Sequence, residues 1–477
     1  METLLGYFEA FLNAGNDLLW SYVLIFLLLG AGAIFTLVSR GVQVRAFGHM
    51  FHLVRNSRGG ANGGITSFQA LTTSLAARVG TGNMAGVAMA LYIGGPGAIF
   101  WMWMTAILGM ATSFVESTLA QTYKVSHHDK TFRGGPAYYI EKGLGQRWLG
   151  IIFAICLMIA FGLAFNGAQA NTISGALNTA FGIDTWMVGV GLVAISAPVI
   201  FGGLRSVART AEILVPVMAL LYLAVALVVV VMHVDQLPAV FSAIFSQAFS
   251  AQNVAGGVAG YAVAEAIKNG IQRGLFSNEA GMGSAPNAAA TATTEPNHPA
   301  AQGYVQMLGV FIDTLVICTA TAAIILVSGM LEPGSELKGI ELTQAALVAS
   351  VGEWGAVFIA VAIFLFAFTS LIANYSYGEA NLEYITGNRT GLMLFRLLVL
   401  GMIMAGAVAD LDLIWNFANL SMGMMALINL IAILLLMPIA MKLLKDYESQ
   451  RKAGKLPEFD RHQFPELKDK LDPEAWK

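Results

Sequence analysis

SFQALTTSLAARVGTGNMAGVAMALYIGGPG, residues 67–97, is long and apolar enough to cross a bilayer, yet its centre reads Arg78-Val79-Gly80-Thr81-Gly82-Asn83. Glycine, threonine and asparagine each weaken a helix, and here they follow one another without relief. In lipid a broken backbone is tolerated only where protein or a watery cavity satisfies the freed N–H and C=O groups. The stretch therefore predicts a discontinuous transmembrane helix whose half-helix ends face a solute and an ion near the bilayer midplane. The competing reading is a continuous helix whose small residues let a neighbour approach closely.

Composition agrees with a membrane setting. The 477 residues are 57% hydrophobic and 12% charged, with a mean hydropathy of +0.68. Soluble domains carry about 25% charged residues. Cys156 and Cys318 both lie in apolar runs and read as small core hydrophobes. No basic residue precedes the first apolar run, so no cleavable leader is expected.

Apolar runs of spanning length fall near 18–38, 67–94, 96–122, 148–181, 184–202, 209–233, 254–290, 302–330, 354–385, 391–409 and 412–444, which predicts eleven transmembrane helices in an all-α polytopic protein. Lys and Arg near span ends are retained in the cytoplasm. With that count, all but four of the 26 basic residues fall on one side of the membrane: Lys338 lies outside, and Arg78, Lys268 and Arg273 lie within spans. The N-terminus is then external and the C-terminus cytoplasmic, in a multi-pass protein of the cytoplasmic (inner) membrane.

Charges inside spans are costly and need a partner or a purpose. Glu265 with Lys268 one turn away, and Arg78 or Arg273 with Glu279 or Glu116, read either as structural ion pairs or as parts of a site. Asp313 adds a further carboxylate in the eighth span, and no histidine lies deep within one. The fourth span carries Asn166, Gln169 and Asn171 in FGLAFNGAQANTIS; amides in lipid either join helices or face a polar cavity. The seventh span, with GIQRGLFSNEAGMGSAP at 270–286, is interrupted by Gly274, Gly281, Gly283 and Pro286 and predicts a second broken helix. ELTQAALVASVG, at 341–352, predicts a short helix over the outer mouth, and the charged tail beyond Tyr447 is expected to lack a core of its own.

The breaks stand five spans apart, so spans two to six and seven to eleven form two blocks of opposite topology. Interrupted segments at matching positions of two halves point to a transporter binding site. The units are then 1–66, a peripheral helix and basic loop; 67–235 and 252–445, the two five-helix repeats; and 446–477, the tail. A channel would show filter carbonyls or charged rings about a symmetry axis, and an enzyme would show convergent His, Cys or carboxylate groups. Neither pattern is present in the sequence, whereas a transporter-like sensor would share all of these features.

SLAARVGTGNMAGVA at 74–88, GGPAYYIEKGLG at 134–145 and GLFSNEAGMGSAPNAAA at 274–290 resemble the alanine or glycine:cation symporter family, and the likeness runs to about Leu444. The resemblance implies a leucine-transporter-like fold with one peripheral helix and a 5+5 inverted-repeat core. Its expected function is import of a small neutral amino acid with Na⁺, sometimes with H⁺, without a cofactor or a nucleic-acid partner. It implies that Thr81, Gly82 and Asn83 meet the substrate, together with Phe165, Asn166 and Gln169 of the fourth span and Gly274, Phe276 and Ser277 of the seventh. Thr369 and Ser370, in FAFTS at 366–370, would hold sodium with backbone oxygens of Ala76, Val79 and Phe366. Arg78 departs from the wider fold, which has a small residue there. A hard cation suits such oxygens, and a zwitterion's carboxylate suits a half-helix N-terminus.

Overall fold

The computed structural model describes residues 2–57, 64–127, 131–249, 258–331 and 336–476. Arg58, Lys130 and Lys477 of the basic side, and 254–257 of the seventh expected span, lie outside them. Among the described residues, eight helices are long and apolar enough to cross a membrane: Gly6–Val38, Gly97–Thr122, Arg147–Phe181, Gly203–Met232, Pro299–Ser328, Trp354–Ile385, Arg389–Val408 and Leu411–Lys452. The three remaining expected spans look different for physical reasons. Thr185–Phe201 is shorter, at 17 residues. The other two are the broken ones, each divided into pieces.

The first broken helix starts at a capping box, with Gln69 N–H donating to Thr66 Oγ1 and Thr66 N–H to Gln69 Oε1, both at 3.1 Å. Ser67–Arg78 stops at Val79, whose ψ of 88° turns its carbonyl off the helix axis. The chain resumes as a π-helical turn, Gly82–Gly86, and continues as Val87–Gly94.

Gly281 and Gly283 lie in the second break, as expected, but Gly274 does not. Gly274 sits inside the helix Val258–Asn278, packed against Thr105 and Met102 of Gly97–Thr122. Unwinding begins after Asn278, where Glu279 takes φ 59°, Gly281 φ 92° and Gly283 φ 85° before Ala285–Ala290 closes the segment. A side chain at Gly283 would strike Asn429, Pro136 and Phe153, so both its φ and its surroundings require glycine. Buried polar groups satisfy the open turn: Gly281 N–H donates to Glu116 at 3.3 Å, and Asn429 donates to Gly281 O at 2.9 Å and to Glu116 at 3.0 Å. Among the described residues two short ladders complete the picture, and one joins Ile65–Thr66 in parallel to Ala292–Thr293, beside the two broken helices.

The expected ion pairs are not the ones formed. Lys268 pairs with Asp17 at 3.3 Å, while Glu265 accepts from Asn269 one turn on. Arg78 is buried over Gly309, with long contacts to Gln306 O and Oε1 and to Ser113 Oγ of 3.4–3.5 Å. Arg273 lies 4.4 Å over the Trp415 ring and donates to Asn419 at 3.2 Å. Neutral amides, hydroxyls and ring faces replace carboxylates at both guanidinium groups.

Gly6–Val38 is peripheral, seated by Trp20 N–H on Asn419 O at 3.2 Å and by Gly32 against Leu108, with Tyr22 and Phe26 facing outward. The tail, expected to lack a core of its own, packs onto the common one. Phe459, Phe464, Leu467, Leu471 and Trp476 are buried in the common core, and Trp476 N–H donates to Gln121 O and Thr122 O at 3.2 and 3.1 Å. Its aromatic residues are what a reading by charge passed over.

Candidate functional site

The break at Val79–Gly80 and the π-helical turn that follows it meet three neighbours. On one side stands Gln169, whose Oε1 accepts from Thr81 N–H at 2.9 Å and from Thr81 Oγ1–H at 2.7 Å. Gly80 N–H is taken by Asn83 Oδ1 at 2.9 Å. The free amides of the break are thus held by amide oxygens, which occupy directions a carboxylate oxygen also suits. Gly80 has no room for a side chain: a Cβ would stand 2.3 Å from Ser370 Oγ and 2.8 Å from Gln169 Oε1.

On the second side the two broken helices touch. A Cβ on Gly82 would lie 3.0 Å from Ser277 Cα and 3.1 Å from a Phe276 ring carbon. Phe276 stacks on Phe165 with centroids 4.4 Å apart and planes 14° from parallel, and Trp415 tilts against its ring at 4.6 Å. Asp313 ties the pair from behind, accepting from Asn83 Nδ2 at 2.7 Å, from Ser277 Oγ at 2.8 Å and from Thr314 Oγ1 at 2.7 Å. Cys318 Sγ lies 3.3 Å from Asn83 Nδ2 and 3.1 Å from Ser277 Oγ.

On the third side is Trp354–Ile385. Ser370 Oγ donates across to Ala76 O at 2.8 Å and within its own helix to Phe366 O at 3.1 Å, and Thr369 Oγ1 donates to Phe366 O at 2.8 Å. Two hydroxyl and two carbonyl oxygens therefore cluster beside the end of Ser67–Arg78, with Val79 as its cap. All are buried.

Of the residues singled out from sequence, Thr81, Gly82, Asn83, Gln169, Phe165, Phe276 and Ser277 come together around the first break, and Ala76, Phe366, Thr369 and Ser370 beside it. Two do not join them. Asn166 bonds to its own helix at Gly162 O and accepts from Asn374 at 3.1 Å, joining Arg147–Phe181 to Trp354–Ile385. Gly274 serves helix packing, as described above.

A family model described as the sodium:alanine symporter family matches residues 6–461. The chain belongs to that family. Curated relatives of this symporter-family chain align along almost its whole length. The amino-acid carrier protein AlsT of Bacillus subtilis is 49% identical, covering 97% of both chains. The probable sodium/glutamine symporter GlnT of the same organism is 49% identical over 94% of this chain and 93% of its own. The sodium/alanine symporter AgcS of Methanococcus maripaludis is 38% identical over 93% and 98%. Among solved structures, a mutant manganese transporter of Eremococcus coleocola superposes with a TM-score of 0.50 at 16% identity, over 83% of this chain and 81% of that one, a likeness of fold alone.

In this member of the sodium:alanine symporter family, sequence reasoning named Asp313 as a charge but not as part of the site. The signal was present: a lone carboxylate in an apolar span needs a purpose. Gln169 carries the first testable consequence. Gln169→Leu strips the acceptor from two Thr81 donors, each worth about 1–3 kcal/mol when buried and unpaired. Melting temperature and substrate affinity are expected to fall together. A fall in melting temperature with unchanged affinity would assign Gln169 to helix joining alone.

Proposed function

We propose that the turn Thr81–Asn83, facing Gln169, Phe165, Phe276 and Ser277, binds the substrate, and that Ala76, Val79, Phe366, Thr369 and Ser370 bind the coupling sodium. The observation that carries this reading is the Ser370 hydroxyl bridging Ala76 O and Phe366 O, because it brings oxygen ligands from two helices to one point beside a broken backbone. A single unwound turn cannot surround a cation alone. Sodium-coupled secondary transport of a small neutral amino acid is the activity of the family, and the site supplies a means for it. A bound sodium would draw Ser370 toward the ion, fix the end of Ser67–Arg78 and so order the turn that receives the substrate.

The substrate carboxylate would take the place of the Gln169 oxygen on Thr81 N–H while accepting from the Gln169 side-chain amide N–H, so that Gln169 remains part of the site, and its ammonium would lie toward the carbonyl-rich side. Contact between Gly82 and Ser277, with aromatic rings beside it, favours a side chain as small as that of alanine or glycine. The name of one relative, a probable sodium/glutamine symporter, makes glutamine the competitor to test. We read the full architecture as eleven spans, one peripheral helix followed by two inverted five-helix repeats at 67–235 and 252–445. The distribution of basic residues supports an external N-terminus and a cytoplasmic C-terminus. The contact of the two broken helices at Gly82 and Ser277 supports this arrangement.

Radiolabelled alanine uptake into proteoliposomes, under separately imposed Na⁺ and H⁺ gradients and with glycine and glutamine as competitors, tests the proposal. Accumulation should follow the sodium gradient, with glycine competing and glutamine weaker. Uptake driven by protons alone, or glutamine competing better than alanine, would overturn this assignment.

Asp313 provides a second test. Asp313→Asn keeps the shape but replaces one of the two carboxylate oxygens by a donor, so Asn83, Ser277 and Thr314 are left with one side-chain acceptor oxygen among them, at a cost of about 1–3 kcal/mol. Alanine affinity is expected to fall about tenfold or more by titration of the purified variant. Wild-type affinity would show that the link between the broken helices is dispensable.

A further inference from the structure

We propose that the basic end of the bundle holds an anionic glycerophospholipid between the ends of Gly6–Val38 and Leu411–Lys452. A cavity of about 410 Å³ opens there. Its apolar wall is Val38, Met441 and Leu444, and its basic side chains include Arg40, Lys445 and Lys452. Arg45 and Glu448 share the cavity but bond to each other, so the one carboxylate present does not offset the other three cations. Arg40, Lys445 and Lys452 form no ion pair among the described residues, and all three are exposed.

The backbone points the same way. Arg40 takes φ 57°, a left-handed conformation unfavourable for a residue with a Cβ, and Gly41 follows at φ 67°. This reversal ends the long helix and sets Arg40 at the mouth of the cavity rather than continuing it into the next helical turn.

Charge and apolarity meet here in the order a lipid requires. The adjoining helix surfaces are apolar and outward-facing, with Leu37 77% and Val44 75% exposed, and Leu435 63% exposed farther along Leu411–Lys452. In a bilayer these surfaces meet acyl chains, while long basic side chains reach the headgroup level. A soluble phosphate would gain from the cations but nothing from Val38, Met441 and Leu444. A zwitterionic lipid would gain from the apolar wall but bring its own positive charge to the rim. A phosphodiester with a net negative charge and two acyl chains uses both. Such clusters of Lys and Arg at the ends of membrane helices attract anionic lipid on the cytoplasmic leaflet. The site is separate from the substrate-binding turn and rests on the reading that this end is cytoplasmic.

The test uses the full-length purified protein, delipidated and then exposed to phosphatidylglycerol or phosphatidylcholine, with retained lipid counted by native mass spectrometry. Wild type should keep phosphatidylglycerol in preference, and raising the ionic strength should strip it. Lys445→Gln with Lys452→Gln should lower retention about thirtyfold, the effect of losing two basic side chains near an anionic headgroup. Lys455→Gln with Lys468→Gln, an equal charge change at two exposed positions of the tail, should leave it unchanged. Lys445→Arg with Lys452→Arg should retain the lipid. Equal loss in both glutamine pairs, no preference for phosphatidylglycerol, or displacement of it by inorganic phosphate at equal concentration would each overturn the proposal. The wild-type salt and phosphate measurements decide the matter even if the glutamine pair does not fold.

Discussion

Gly82→Val is expected to weaken alanine binding by up to roughly a hundredfold, with a matching loss of uptake. Glycine at this position lets one broken helix rest on the other, since a Cβ would already stand 3.0 Å from Ser277 Cα, a backbone atom that cannot rotate aside. Valine adds two methyl groups to that contact and also restricts a turn that leaves the α-helix for a π-helical one. Relief requires the helices to part. Parting them would pull Asn83, the next residue, away from the carboxylate that it shares with Ser277 through Asp313. Overpacking of this kind costs about 1–3 kcal/mol, which at its upper end is roughly a hundredfold in affinity. Gly82→Ala is expected to be milder, near tenfold, because only the first carbon must be accommodated. Calorimetric titration of the purified variants with alanine would measure both. Unchanged affinity in the valine variant would remove this turn from the binding site.

Ser370→Ala should have the next largest effect, on sodium rather than directly on the amino acid. The hydroxyl is the only described side-chain group that reaches Ala76 O, so its loss removes a ligand and unties the helix end from Trp354–Ile385. A ligand worth about 1.4 kcal/mol is tenfold in affinity. Half-maximal uptake should therefore need at least about tenfold more Na⁺. Thr369→Val keeps the volume and removes the other hydroxyl, and it is expected to shift the sodium requirement in the same direction. In both variants alanine affinity should fall chiefly at low Na⁺ and recover as Na⁺ rises, because the two binding events are reciprocally linked. Sodium-dependence curves in proteoliposomes that superpose on wild type would argue against the hydroxyls as ligands.

Much of this site was legible because breaks and hydroxyls announce themselves locally. Val79–Asn83 reads as a run that weakens a helix, and a Thr-Ser pair in an apolar run is visible as a possible oxygen source. The second break was legible in existence but not in position, since four interrupting residues were in view and only the contacts decide that Gly274 packs while 279–284 unwinds. The partners of buried charges were not legible. Arg78 rests on Gln306 and Ser113, and Glu116 caps Gly281, through pairings that depend on which helix faces which. Opposite charge is a poor guide to them, because a neutral amide meets the same need without a second desolvated ion. Asn166 and Gln169 show the limit of periodicity. They stand three residues apart on one helix, yet one meets the break and the other meets Asn374. The packing of the tail onto the common core was not legible because its charge is conspicuous and its five buried hydrophobic residues are widely spaced.

The most direct test of the sodium site beside the first break is alanine affinity of the purified wild type as a function of Na⁺, with K⁺ holding ionic strength constant. Alanine should bind progressively tighter as Na⁺ rises and reach a plateau when the site fills, while Ser370→Ala needs at least about tenfold more Na⁺ to reach the same plateau. Alanine affinity indifferent to Na⁺ in the wild type, or an identical sodium curve in Ser370→Ala, would contradict the account.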